Sequence, residues 1–441
     1  MKTINFLLVC SLVLVQNLVY GAVATQLTMQ DAVNHALANR PDLEALSFAT
    51  QASKSGAKAA IAGYYPNITL TSDFDRTNGQ GKLQNTTMLG VNQHIYSFSG
   101  PQQLYKKAKK QAELAELDED TQKNLVRLTV ERAFLGAFLL QEQRKVVDAQ
   151  YKASQAMFKR SSRENKEKLL DKDVWLTSAE TFASNVSDVY KFSNALDSTY
   201  RTLEFLTGQK LLSEMHVQGK NDVKAERARL LWDCKQRIDV QPLEVYYDNA
   251  LRYRPEIKQA VKRAEIERAN VHIARGKRLP VLSASAMTGY AEKDTVVELN
   301  EKIVSGDKGY WTVNAHLSWN VFDGLVTQYE EQQAEANRVK EMLNKQQKVL
   351  DIKQEVQECY RNFVDALIQR KSQKVSYVRA HNAFVLSQKK YKIGKIAFNE
   401  FKSAEALWCS EQFNWIKSTV NVALQERTLH CACGYPENNE K

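Results

Sequence analysis

Apolar residues recur three or four positions apart over two long stretches, as in Leu125, Leu128, Val130, Phe134, Leu135, Phe138 and Leu139, and again in Leu350, Ile352, Val356, Tyr360, Phe363, Val364 and Leu367. That spacing predicts amphipathic helices. The helices have room to be long, because no proline occurs in 102–241 or 281–435, and Gly136 and Gly394 are the only glycines in 101–207 and 325–433. Such segments suit coiled-coil arms, about 90 Å for 60 residues. Elsewhere the period drops to two. Ile68, Leu70 and Phe74 alternate with Thr69, Thr71, Asp73 and Asp75, and Trp311, Val313, Ala315, Leu317, Trp319 and Val321 alternate with Thr312, Asn314, His316, Ser318 and Asn320. Each run predicts a strand of about ten residues with one apolar and one polar face. Less regular partners lie near 86–97 and 281–290, and polar loops at 76–85 and 291–309 complete two hairpins, at about 67–97 and 281–322.

The two halves repeat one another. Ala36-Leu37 with Arg40-Pro41-Asp42-Leu43 returns as Ala250-Leu251 with Arg254-Pro255-Glu256-Ile257 at an offset of 214, and Tyr65-Pro66 meets Leu279-Pro280 at the same offset. Phe98-Ser99-Gly100 meets Phe322-Asp323-Gly324 at an offset of 224, and Gly208 meets Gly434 at 226. The chain therefore reads as a first copy over 25–208, a connector over 209–241, a second copy over 242–434 and a tail over 435–441, each copy holding a helix, a hairpin and a pair of long helices.

Residues 1–24 read as a signal peptide: Lys2, an apolar run from Ile4 to Tyr20, then Ala22-Val23-Ala24, placing the mature start at Thr25. No later run approaches 18 apolar residues, so any membrane passage must be made by strands closed into a barrel. Trp311 and Trp319 at the two ends of one apolar face suit the two bilayer interfaces, a rise of about 20 Å. A formal charge of +10 over 441 residues would suit nucleic acid if it were concentrated, but the KKAKK run at 106–110 is followed by acids and most other basic residues have acidic neighbours; the reading includes no nucleic acid. No phosphate loop, HExxH, GxSxG or CxxC motif is present, and no enzyme, cofactor or metal is expected. His94 and His316 fall at polar strand positions, and Cys431 and Cys433, beside His430, read as small apolar residues at a helix end. The alternation leaves two classes open: an exit duct, or an exported coiled-coil scaffold or adhesion protein without a pore.

The Ala-Leu-x-x-Arg-Pro-(Asp/Glu)-(Leu/Ile) pattern at 36–43 and 250–257, Tyr-Tyr-Pro-x-Ile-x-Leu at 64–70, Trp-Asn-Val-Phe-Asp-Gly at 319–324 and Tyr-Lys-Ile-Gly-Lys-Ile at 391–396 carry a resemblance. With them the chain resembles the TolC-type outer-membrane efflux and secretion channels. The resemblance implies a mainly α fold with a β-barrel, in which four transmembrane strands and long coiled-coil helices from each protomer build a trimeric duct. Spacing alone would permit a dimer. It also implies a cell outer-membrane location extending into the periplasm, a passive conduit for a tripartite efflux pump or type I secretion system, and contacts with outer-membrane lipid. The implied partners are a periplasmic adaptor (membrane fusion) protein and an inner-membrane pump of RND, ABC or MFS type. Thr69, Thr71, Asp73, Asn314, His316 and Ser318 are candidate lumen residues, with Trp311 and Trp319 as the interface belt. The implied closed end is the periplasmic tip, around Lys168, Leu169, Lys172 and Asp173 in the first copy and Gly394, Lys395, Ile396, Glu400 and Ser403 in the second. Gly394 stands at the family's turn glycine, where Leu169 stands in the first copy. Of the basic residue and two acids that the family pattern can carry at Ile396, Glu400 and Ser403, one acid is kept, so a salt-bridged lock of that form is not expected. The family places the connector beside the end of the second copy, which makes a disulfide from Cys234 to Cys431 or Cys433 a candidate.

Overall fold

The computed structural model describes residues 26–75, 84–97, 100–167, 172–211, 217–218, 222–223, 229–231, 240–291, 296–299, 302–305 and 308–435. The signal peptide, Lys168, Leu169, Cys234 and residues 436–441 lie outside them. The first copy runs β1 (Gln26–Thr28), α1 (Met29–Asn39), α2 (Pro41–Ile61), a 3-10 turn (Ala62–Tyr64), β2 (Asn67–Asp75), β3 (Gln84–Ser97), α3 (Pro101–Lys166) and α4 (Lys172–Thr207). Three short strands follow, β4 (Val217–Gln218), β5 (Asp222–Val223) and β6 (Arg229–Leu231). The second copy runs α5 (Leu243–Tyr253), α6 (Pro255–Gly276), β7 (Val281–Ala291), β8 (Val296–Leu299), β9 (Lys302–Ser305), β10 (Lys308–Ser318), α7 (Val326–Lys392) and α8 (Phe398–Ala432). The main helices and strands of the copies match in order; β1 and the 3-10 turn are described in the first copy alone, and the loop at 291–309 carries the small β8–β9 hairpin.

Local chemistry sets the helix boundaries. Thr28 caps α1 with a capping box: the Asp31 N–H donates to Thr28 Oγ1 (3.2 Å) and the Thr28 N–H to the Asp31 carboxylate (3.4 Å), which also accepts from the Thr28 hydroxyl (2.6 Å). Arg40 and Arg254 are both extended, at φ −81° and −64°, because the residue before proline is excluded from the helical region. Pro41 and Pro255 then open the next helix, where a missing N–H costs nothing. Each copy closes on a left-handed glycine seated on this break. Gly208 (φ 67°) lies against Asn39, and a Cβ on Gly434 (φ 80°) would stand 2.8 Å from Arg254 N.

The chain divides into two compact units, each drawing on both copies: one of residues up to Leu43, Gln122–Arg254 and from Ile352 onward, the other of Glu44–Thr121 and Pro255–Asp351. In the first unit α1, α3, α4 and α8 enclose a core around Leu27, Phe134, Leu135, Tyr200, Leu203 and Leu230. There β1 pairs in parallel with β6, Leu27 opposite Leu230, so connector residues complete the core. Also in this unit, the buried Arg254 guanidinium donates to both oxygens of Glu355 (2.5 and 3.3 Å).

The second unit holds helix segments and the main sheet. Lys110 and Lys262 share Glu113 and Glu265 in a four-residue charge cluster, and Gln259 Nε2 donates to Leu117 O (3.0 Å) and Thr121 Oγ1 (2.7 Å). The sheet has the order β10-β7-β3-β2 and is antiparallel throughout. A bulge between His94 and Tyr96 resets the β3–β7 register, a local kink of the kind that bends a strand. β10 stops at Ser318, paired with Val281, and not at Val321 as the alternation suggests. The residue that would extend the ladder is Pro280, which has no N–H to give.

Candidate duct wall and helical gate

Cross-strand partners share a face of the sheet. One face therefore carries Val313, Ala286, Val91 and Ile68 in one row and Trp311, Thr288, Leu89 and Leu70 in the next. Its large apolar side chains lie open: Trp311 is 78% exposed, Val313 67% and Leu70 72%. A contiguous exposed apolar face of this kind calls for a lipid or protein partner.

The opposite face carries, row by row, Asn314 with Ser285, Asn92 and Asn67, Thr312 with Met287, Gly90 and Thr69, and His316 with Ser283 and His94. Register places all six candidate lumen residues, Thr69, Thr71, Asp73, Asn314, His316 and Ser318, on this one face. Tyr310 is missed by sequence reasoning. Its ring lies over Gly289, where an added Cβ would come 2.7 Å from the hydroxyl oxygen, an aromatic laid across a cross-strand glycine. The Tyr-Trp pair at 310–311, splitting to opposite faces, was the available signal. Trp319 falls beyond the strand, anchored by its indole N–H to Arg278 O (3.0 Å).

Among the described residues neither sheet edge, β2 nor β10, pairs with a further strand. A sheet edge offers backbone donors and acceptors to a further strand, and four strands are too few to close, since barrels begin near eight.

The hairpin turns lie in the other unit. α7 ends in a Schellman motif: Gly394 (φ 69°) donates to Tyr391 O (3.0 Å) and Lys395 to Lys390 O (2.9 Å). Lys395 is exposed, Ile396 half-buried, and Ser403 donates its hydroxyl to Asn399 O (2.9 Å). Glu400 is exposed in the first turn of α8 and has no ion pair or hydrogen bond among the described residues. Behind the turn stands an aromatic ladder, with Tyr391 stacked on Phe401 (5.1 Å) and Phe384 on Trp408 (4.6 Å). In the first copy Lys172 and Asp173 are exposed at the start of α4, and α3 is stitched to α4 by the Ser161 and Ser178 hydroxyls (2.5 Å) and the stacked Phe158 and Phe182 rings (5.4 Å). Beside the second hairpin runs a groove of about 780 Å³, lined by Ala149, Ala153 and Met157 of α3 and by Phe384, Tyr391 and Phe401. Cys433 is buried, its thiol pushed up to about 12 by burial and by nearby Cys359, as suits an apolar filler. The disulfide candidate turns on Cys234, outside the described residues. No His, Cys, Asp and Glu cluster suited to a metal occurs among the described residues, and no described helix is long and apolar enough to cross a membrane.

A sheet apolar on one face and polar on the other, open at both edges and joined to helices of more than 60 residues, defines the class of oligomeric α/β barrel ducts. The chain belongs to the outer membrane efflux protein family, whose model matches residues 32–167 and 246–435. Among solved structures it is similar to the CusC transmembrane channel, at 16% identity and a TM-score of 0.77 over 95% of each chain. It is also similar to the Campylobacter jejuni CmeC outer membrane channel, at 14% identity and a TM-score of 0.74 over 94% of this chain and 87% of that one. The open state of the Neisseria gonorrhoeae MtrE outer membrane channel matches at 14% identity and a TM-score of 0.72, over 92% of this chain and 88% of that one. No curated protein sequence matches the chain at a significant level. Members of the family form homotrimers that dock with periplasmic adaptor proteins of efflux pumps. The chain is an outer-membrane exit duct of a tripartite pump, extending into the periplasm, and not an enzyme.

Proposed function

We propose that the chain is a gated passive conduit whose polar sheet face lines the lumen, whose apolar face meets lipid and whose hairpin turns close the periplasmic end. The observation that carries this reading is the register of the sheet, which collects the polar candidates on one face and the large exposed apolar residues on the other. A wall of that kind passes solutes by offering water and weak polar contacts, with no site that holds one of them.

Glu400 is the acid for the closing contacts. It is exposed and unpaired among the described residues, at a helix start where a carboxylate is favoured. A single exposed contact is worth only about 0 to 1 kcal/mol, but three symmetric copies act on one constriction. Glu400→Lys is expected to raise single-channel conductance of the purified trimer in planar bilayers while trimer yield stays normal. Unchanged conductance with reduced export in cells would instead assign Glu400 to the adaptor, which the apolar groove beside the hairpin would then seat. No change in either returns Glu400 to an ordinary solvated turn charge.

A further inference from the structure

Where the strands meet the helices, the two copies carry opposite charge logic. In the second copy the end of α6 is basic and the start of α7 acidic, and every one of these cations is paired: Arg275 and Arg278 both reach Glu331 (3.0 and 2.9 Å) and Lys277 reaches Glu330 (2.8 Å). At the offset of 224 that relates the copies, Glu330 and Glu331 are replaced by Lys106 and Lys107. The chain has no acidic residue between Glu44 and Asp73, nor between Asp75 and Glu113. Lys58, Lys106 and Lys107 accordingly have no carboxylate partner among the described residues. Nearby acids are already engaged, Glu113 by Lys110 and Lys262, and Glu116 by Lys54.

These lysines lie at one level. An added Cβ on Gly63 would stand 3.2 Å from Pro101, so the end of α2 and the start of α3 abut. Lys58 and Lys106 are each five residues from that contact, about 7 to 8 Å down antiparallel helices. Between these lysines and the strands stands an exposed aromatic belt, with Tyr65 66% and Phe322 77% exposed, and Tyr329, 62% exposed, stands one residue from Glu330. Gln93 Nε2 ties the first hairpin to it through Tyr64 O (3.0 Å).

Unneutralised lysines one or two turns below a membrane-facing apolar belt sit at the depth of lipid headgroups. We propose that Lys58, Lys106 and Lys107 bind the phosphates of anionic glycerophospholipids in the periplasmic leaflet, so that the first copy is the lipid-selective half of the junction and the second, whose cations are all engaged by acids, the weaker half. In the second copy three cations share two carboxylates and keep a net charge of +1, whereas the three lysines of the first copy keep +3.

The test is native mass spectrometry of the intact trimer from mixed micelles holding equal phosphatidylglycerol and phosphatidylethanolamine with the same acyl chains. Wild type is expected to retain phosphatidylglycerol over phosphatidylethanolamine by about tenfold. K58Q/K106Q/K107Q should bring the ratio near parity, and K277Q/E330Q, which removes a pair at constant charge, should leave it unchanged. Parity in wild type, or a tenfold preference surviving in the triple variant, overturns the proposal. If the triple variant fails to assemble, raising the salt from about 0.05 to about 0.5 M must release phosphatidylglycerol from wild type, since screening weakens exposed charge pairs. Retention indifferent to salt overturns it equally.

Discussion

His430 is half-buried near the end of α8, and burial together with the Arg427 guanidinium lowers its imidazole pKa to about 4. The unfolded side chain titrates near 6.5. Between those values the unfolded chain binds a proton that the folded chain refuses, so His430 lowers stability as pH falls from about 6.5 to 4, and the loss is complete below that window. The loss is on the order of 3 kcal/mol per protomer. Burial raises the carboxyls of Glu131 and Glu426, which favour the folded state on the acid side and act in the opposite sense. Comparing variant with wild type separates the two contributions. His430→Gln should flatten the fall in apparent melting temperature of the detergent-solubilised trimer between pH 6.5 and 4; parallel curves would show that the imidazole plays no part in it.

At the scale of elements, β10 tests the separation of faces. The strand spans Lys308–Ser318, so its middle is Val313, and Leu317, central if the alternation ran to Val321, lies one residue from the end. A charge on the lipid face costs most at the bilayer midplane, about 2 to 4 kcal/mol, and about 0 to 1 near the interface. Val313→Arg should therefore impair insertion and trimer yield strongly, Leu317→Arg mildly, and Asn314→Arg, on the other face, scarcely at all. The readout is the heat-modifiable trimer band after refolding into vesicles, and equal yields for Val313→Arg and Asn314→Arg would mean that the faces do not divide lipid from lumen. Stacked rings join both helical hairpins; the first adds hydroxyl contacts between α3 and α4, and the second a Schellman glycine at the end of α7.

For the whole molecule, the two open edges of the sheet decide assembly. Leaving β2 and β10 unpaired would expose backbone groups that hydrocarbon cannot satisfy. Mass measurement in mild detergent should therefore return a trimer with no stable monomer. Truncating β10 after Thr312, which shortens one edge, should shift the material to monomer and aggregate, and a stable monomeric channel would contradict closure through neighbouring protomers.

Periodicity and breakers made much of this legible before any coordinates. The 3.6- and two-residue patterns, Arg-Pro at 40–41 and 254–255, and the glycines at 208 and 434 each act within a few residues, where backbone sterics and the hydrophobic effect need no distant partner. The helices, the four main strands, the duplication and the family followed from them. What only the tertiary structure decided depends on residues far apart in the chain. Register collected the polar candidates on one face of the sheet, and Pro280 ended β10 from the opposite strand. The connector strand β6 entered the first unit's core beside β1. Glu331 met Arg275 and Arg278 while Lys106 and Lys107 met no acid among the described residues, although all belong to charge runs that look mixed in one dimension. Composition counts charges along a line, whereas neutralisation is a matter of a few ångströms in space.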